Sequence, residues 1–223
     1  MRGCLRPLRN PAREGSIQST IMHKLYFAPT SCSMAPHILL REAGLPFELV
    51  RVILRTHTTK DGTDFYAIHP LGQVPVLALE GGEVLSEAAV ILQYVADHAP
   101  EAKFLPPPGT MDRYRALEWL NFIASDLHKG IGMLFNRKLS DEAKAVIRDL
   151  AATRLAYAEK KLGARPFTMG ETFSAPDAYL FTILNWTGFV GIDLGSYPAL
   201  AAFVERMRAR DSVRAAFEAE QNA

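Results

Sequence analysis

The sequence predicts two successive domains, a small α/β domain of order βαβ–ββα and then an all-α helical bundle. Three observations predict this. A strand, a helix and a second strand follow one another from Lys24 to Ile53; a stretch holding four of the chain's fourteen prolines, "APEAKFLPPPG", then separates the two halves; and every segment beyond it reads as helix. At 223 residues the chain is long enough to bury a substantial core.

The elements follow in order. The first 22 residues, "MRGCLRPLRNPAREGSIQSTIM", set four arginines against the single acid Glu14 and show no sustained periodicity. Residues 1–22 are therefore set apart as a disordered extension or an upstream start ahead of Met22, a transit peptide being the alternative. "KLYFA" is a short strand, "MAPHILLREAG" a helix stopped at Gly44, and "FELVRVI" a second strand, expected parallel to the first across a right-handed crossover. "THTTKDGTDFYAIHPLG" is polar and rich in turn formers, a loop or one short helical turn. "VPVLAL" and "EVL" flank "EGG" as an antiparallel hairpin, and Ser86 is placed to cap a helix running to about His98 with Ala88, Ile91, Leu92 and Val95 on one face. Residues 23–99 form the first domain, residues 100–109 an extended linker and residues 110–223 the helical domain. In the latter, Ser140 caps a helix ending at Gly163, and Ser174 with Asp177 three places on forms a capping box.

Composition excludes several classes. The formal net charge is +1, and without the first 22 residues 21 basic residues face 23 acidic ones, which does not suit nucleic acid. No apolar run approaches a membrane span. Two cysteines, Cys4 and Cys32, are too few for a disulfide framework, which fits a reducing, cytoplasmic setting. The histidines lack Cys or carboxylate partners at ligand spacing, so no metal is expected.

Cys32 stands in "TSCSMAPH" at the start of the first helix, where unpaired N–H groups and the helix dipole favour a thiolate. The other reading is a buried small residue. The position that would complete a C-x-x-C pair is Ala35, so disulfide exchange at Cys32 would end at a mixed disulfide with an external small thiol. Pro75 marks either an edge strand or a cis bond after Val74 that turns the Val74 backbone toward a peptide-like ligand. Ser86 and Glu87 are helix caps, or the ends of a site taking a carboxylate and an ammonium. Asn121, Ser125 and His128 recur at spacings of four and three on one helix face, followed by Lys129.

Together these residues resemble the glutathione transferases, most closely the bacterial beta class. The resemblance spans Lys24 to Phe217 and rests on "KLYFAPTSCSMAPHILLREAGLPFE", "GQVPVL", "SEAAVILQYVAD", "RYRALEWLNFIASDLHKG" and "FSAPDAYLF". It implies a thioredoxin-like first domain joined to a helical bundle, a homodimer, and a role in detoxification. It further implies a reaction joining the glutathione thiol to small hydrophobic electrophiles, with glutathione-dependent peroxidase or thiol–disulfide activity through Cys32 alongside. By the same resemblance Cys32 lies beside glutathione, Val74 before Pro75 pairs with its cysteinyl backbone, and Glu87 and Ala88 hold its γ-glutamyl end, with Ser86 before them in the glutathione site. Asn121, Ser125, His128 and Lys129 form the opposite wall, His128 facing the thiol, and Trp186 lines the electrophile pocket. The family has lysines where this chain has His57 and Leu71, which leaves His57 or Lys60 to meet the glycine carboxylate. A maleylacetoacetate isomerase-like enzyme and a non-catalytic binding protein of the same fold are the alternatives.

Overall fold

The computed structural model describes residues 23–223, and the expectations for residues 1–22 lie outside the described residues. Strand β1 (His23–Phe27) continues into helix α1 (Met34–Ala43) and strand β2 (Phe47–Ile53), which pairs parallel to β1. His23, Leu25 and Phe27 are buried while Lys24 is exposed and Tyr26 half-buried, the alternation a half-buried strand requires. Gly44 ends α1 in the left-handed region, φ 63°, and its N–H returns to the Arg41 and Leu40 carbonyls.

The polar stretch after β2 differs from a simple loop. Strand β3 (Thr58–Thr59) pairs antiparallel with the end of β2, and a single 3-10 turn follows at Phe65–Ala67, capped by Asp64. Two residues cannot show a period, so β3 has no signature in the sequence. The hairpin forms as expected from β4 (Val76–Ala78) and β5 (Val84–Ser86), giving the sheet order β3-β2-β1-β4-β5 with β4 antiparallel to β1. Helix α2 (Ala88–His98) follows, but Ser86 does not cap it. Ser86 is the last residue of β5, paired with Val76, and the cap position belongs to Glu87, which makes no side-chain cap bond.

Residues 100–109 pack as well as connect. Pro100–Ala102 is a 3-10 turn, Phe104 and Leu105 are buried, and the Phe104 carbonyl accepts the Ala175 N–H at 2.9 Å. Arg113 donates to both Asp97 oxygens at 2.9 and 3.1 Å, tying α3 (Met111–Phe122) to α2. The run after α3 is a π-helical segment, Ile123–His128, leading into α4 (Lys129–Met133); such segments recur at functional sites.

Helices α5 (Asp141–Leu162), α6 (Ala175–Leu184), α7 (Pro198–Arg208) and α8 (Asp211–Asn222) complete the bundle. All ten residues of α6 are buried, as befits a helix apolar almost all round. It packs on α1, α2, α3 and α7, and α8 returns to α1, so the two domains share one continuous core. Its polar side chains are each engaged: Thr182 donates to the Ala178 carbonyl at 2.8 Å, and Asp177 accepts the N–H groups of Thr168 and Ser174, both at 2.7 Å. Among the described residues no helix is long and apolar enough to cross a membrane.

Candidate active site

A cleft of about 530 Å³ opens between the domains, within the range of small-molecule sites. The first domain contributes Cys32, His57, Val74, Pro75, Ser86, Glu87 and Ala88; the helical domain contributes Ser125, His128, Lys129 and Trp186. Asn121 is not part of this wall. Its side chain is exposed on α3, ahead of the π-helical segment that carries Ser125 and His128, and its carbonyl accepts the Ser125 hydroxyl at 3.0 Å. Lys60 and Leu71 also lie outside the wall. A second cavity of about 670 Å³ shares His128, Lys129 and Trp186 with the first and adds the apolar Met133, Phe135 and Phe189.

Cys32 corrects the expectation of a resting thiolate. It is 8% exposed, its Sγ donates to the Val74 carbonyl at 3.1 Å, and burial pushes the thiol up to about 12. Backbone N–H groups of Cys32 and Ser33 pull the other way, as the helix-start position predicts, but desolvation dominates. Local spacing signals the N–H groups and carries no information on the packing that excludes water.

The loop bearing Cys32 is held from afar. Thr30 takes a positive φ of 58°, a conformation that costs a residue with a Cβ, and two long-range bonds fix it there. The Glu220 carboxylate on α8 accepts the Thr30 N–H at 2.8 Å, and the Trp186 indole donates to the Thr30 carbonyl at 2.9 Å. The second Glu220 oxygen lies 2.9 Å from His37 Nδ1, while Arg41 Nε donates to His37 Nε2 at 2.9 Å. Because the arginine only donates, His37 carries its proton on Nδ1 and gives it to Glu220; its burial lowers its pKa and keeps it neutral. No sequence signal points to Glu220.

Val74–Pro75 is a cis bond. With the Val74 carbonyl taken by Cys32, the Val74 N–H has no partner among the described residues. Glu87 sits at φ 67°, ψ 115°, and its exposed carboxylate makes no hydrogen bond or ion pair among the described residues. Ala88 and Ala89 follow as the first turn of α2, their N–H groups without acceptors among the described residues.

Opposite, His128 Nδ1 lies 2.7 Å from the Tyr179 hydroxyl, and its ring meets Trp186 edge-on at 5.1 Å. Burial lowers the His128 pKa to about 4 and Lys129 adds to the effect, so the ring is neutral at pH 7. His57 donates from Nδ1 to the Gly72 carbonyl at 3.1 Å and lies against Tyr66 at 4.5 Å between ring centres. Gly72 is required there: at φ 61° a Cβ would fall 2.5 Å from His57 Nδ1.

The sequence reading missed His69, Gln73 and Tyr179, which also line the cleft. Tyr179 had a signal, the one phenol in a largely apolar helix, which when buried calls for a polar partner.

Residues 30–98 match the glutathione S-transferase N-terminal domain and residues 122–211 the C-terminal domain. The chain is 41% identical over 197 residues to the glutathione S-transferase GstA of Escherichia coli O157:H7, covering 88% of this chain and 98% of that protein. It is 35% identical to glutathione S-transferase GST-4.5 of Xanthomonas campestris pv. campestris, with 88% and 98% covered. Among solved structures, a sphingomonad glutathione S-transferase complexed with glutathione superposes with a TM-score of 0.86 at 44% identity, covering 90% of this chain and all of that one. The beta class enzyme of Sphingomonas chungbukensis gives 0.86 at 42%, with the same coverage.

Proposed function

Because this chain belongs to the glutathione S-transferase family, we propose that it joins the thiol of glutathione to small hydrophobic electrophiles in the paired cavities between its domains. The observation that carries this reading is the pairing itself. A cleft with a backbone N–H at Val74, a carboxylate at Glu87 and a helix start at Ala88, each without a partner among the described residues, suits a charged peptide, and a cavity lined by Met133, Phe135 and Phe189 adjoins it across His128 and Trp186. In this assignment the Val74 N–H pairs with the cysteinyl backbone of glutathione. Glu87 accepts from the γ-glutamyl ammonium, while Ser86 and the α2 start take its carboxylate. Ser125 and Lys129 close the helical side.

The attacking sulfur is that of glutathione, and Cys32 acts as a neutral neighbour. With its thiol pushed up to about 12 by burial, Cys32 stays protonated at pH 7. Holding the two reactants in adjoining cavities supplies the proximity on which the rate gain rests. Thiol–disulfide or peroxidase chemistry through Cys32 is the minor capacity, since the buried sulfur must first lose its bond to Val74. The family resemblance further suggests a cytoplasmic homodimer acting in detoxification, which light scattering on the purified chain checks for its oligomeric part.

The test is conjugation of an activated chloronitrobenzene, run beside calorimetric titration with glutathione, for the wild type and Cys32→Ala. Both proteins are expected to bind glutathione and to conjugate it. A wild type that neither retains glutathione nor turns over overturns the reading. Alkylation of Cys32, followed by peptide mass spectrometry, is expected to be slow at pH 7 and to rise roughly tenfold per pH unit without a plateau below pH 10. A plateau near pH 8 would contradict the buried neutral thiol.

His57 gives a further prediction. Its Nδ1–H is committed to the Gly72 carbonyl, so only Nε2 is left to meet an anion. His57→Lys supplies a permanent charge and is expected to tighten glutathione about threefold. An unchanged dissociation constant would remove His57 from the carboxylate end.

A further inference from the structure

The hydrogen bond between Tyr179 and His128 fixes more than the position of a ring. Tyr179 is 2% exposed on α6, and among the described residues its hydroxyl has one partner, His128 Nδ1, at 2.7 Å. Were the imidazole to donate from Nδ1, the Tyr179 O–H would be left buried with no acceptor, a cost that native structures rarely bear. The hydroxyl therefore donates and Nδ1 accepts. A neutral imidazole has one proton, which then lies on Nε2.

The surroundings agree with this assignment. Burial drives the Tyr179 phenol to higher pKa, so it keeps its proton, and lowers that of His128, so the ring has only one. His128 Nε2 has no hydrogen-bond partner among the described residues, yet it is not among the buried unsatisfied atoms, and the residue lines both cavities. The ring is held edge-on to Trp186 at 5.1 Å and to Tyr179 at 5.8 Å. On the third side, a Cβ at Gly132 would already be in contact with His128 Cδ2 at 3.8 Å.

We propose that Tyr179 is a positioning residue that locks His128 as a hydrogen-bond donor, its Nε2–H directed at the shared boundary of the two cavities, so that His128 steadies negative charge there and does not act as a base. The inference rests on the glutathione-conjugating reading of the site and deepens it. The negative charge is that of the glutathione sulfur before attack. The thiol proton goes to bulk water and not to His128, whose one lone pair is occupied by Tyr179. A donor already aimed at the charge costs no reorganisation when the charge forms. The neutral Cys32 beside it makes the same demand, since neither side chain can take a proton at pH 7.

Two experiments test this. The first needs no ligand: nitrogen-15 NMR of the histidine-labelled protein is expected to show His128 Nδ1 as the unprotonated and Nε2 as the protonated nitrogen, and Tyr179→Phe to give a mixture of tautomers. The reverse assignment in the wild type overturns the proposal. The second follows the ultraviolet absorbance of the glutathione thiolate across pH in the complex. Tyr179→Phe and His128→Ala are each expected to raise the apparent thiol pKa by about one unit, a tenfold loss of thiolate, with little change in KM for glutathione. His128→Gln, which offers an amide N–H but no base, is expected to stay within about threefold of wild type. If His128→Gln titrates like His128→Ala, the donor role is wrong. A wild type that binds and conjugates while these variants leave the titration unmoved overturns the inference and leaves the proposed function standing; a wild type that does not bind glutathione overturns the proposed function.

Discussion

Replacing Asp177 with alanine is expected to lower the free energy of unfolding by about 4 kcal/mol, read as a shift of the urea midpoint. Asp177 is fully buried, and its two oxygens accept three hydrogen bonds: the Thr168 N–H at 2.7 Å, the Ser174 N–H at 2.7 Å and the Ser174 hydroxyl at 2.6 Å. Alanine leaves two buried backbone N–H groups without acceptors, at about 1–3 kcal/mol each, one of them the Ser174 N–H that forms the Asp177 half of the α6 capping box. The cost falls on the helix that joins both domains, which is why it spreads beyond one turn. Asp177→Asn keeps one acceptor oxygen but turns an amide toward a donor, so about half the loss is expected. A decrease below about 1 kcal/mol for the alanine variant would mean that the cap is dispensable.

Glu87→Ala is expected to lower kcat/KM for glutathione about a hundredfold, most of it in KM. That factor corresponds to roughly 3 kcal/mol, the scale of charge-assisted hydrogen bonds to a bound ammonium. The backbone gives an independent reason to assign Glu87 a binding role. A non-glycine residue at φ 67°, ψ 115° is strained, and such strain persists where function holds it. The carboxylate contributes no bond of its own to the fold among the described residues. Binding and stability are therefore expected to separate: Glu87→Gly should lose binding as Glu87→Ala does, yet unfold at an equal or higher urea concentration, because glycine adopts this conformation without a Cβ penalty. If Glu87→Ala binds glutathione as the wild type does, the ammonium end of the site lies elsewhere.

By itself the sequence determined what depends on neighbours within about four places. The alternation in "KLYFA", the stop at Gly44, the hairpin around "EGG" and the caps at Ser140 and Ser174 all reappear in the structure, because strand period, turn chemistry and capping are local. The motifs around Cys32, Val74, Glu87 and His128 were likewise legible, and the fold brings them to one cleft. Only the tertiary structure decided their chemical states. Cys32 is neutral because packing excludes water, which outweighs the helix start visible in the sequence. Ser86 ends a strand because β4 pairs with it, and Asn121 stays exposed on α3 while Ser125 and His128, in the π-helical segment, line the cleft. Tyr179 reaches His128 across 51 residues and Glu220 reaches Thr30 across 190. Desolvation and hydrogen bonds at such separations are set by which surfaces meet, and no spacing along the chain encodes that.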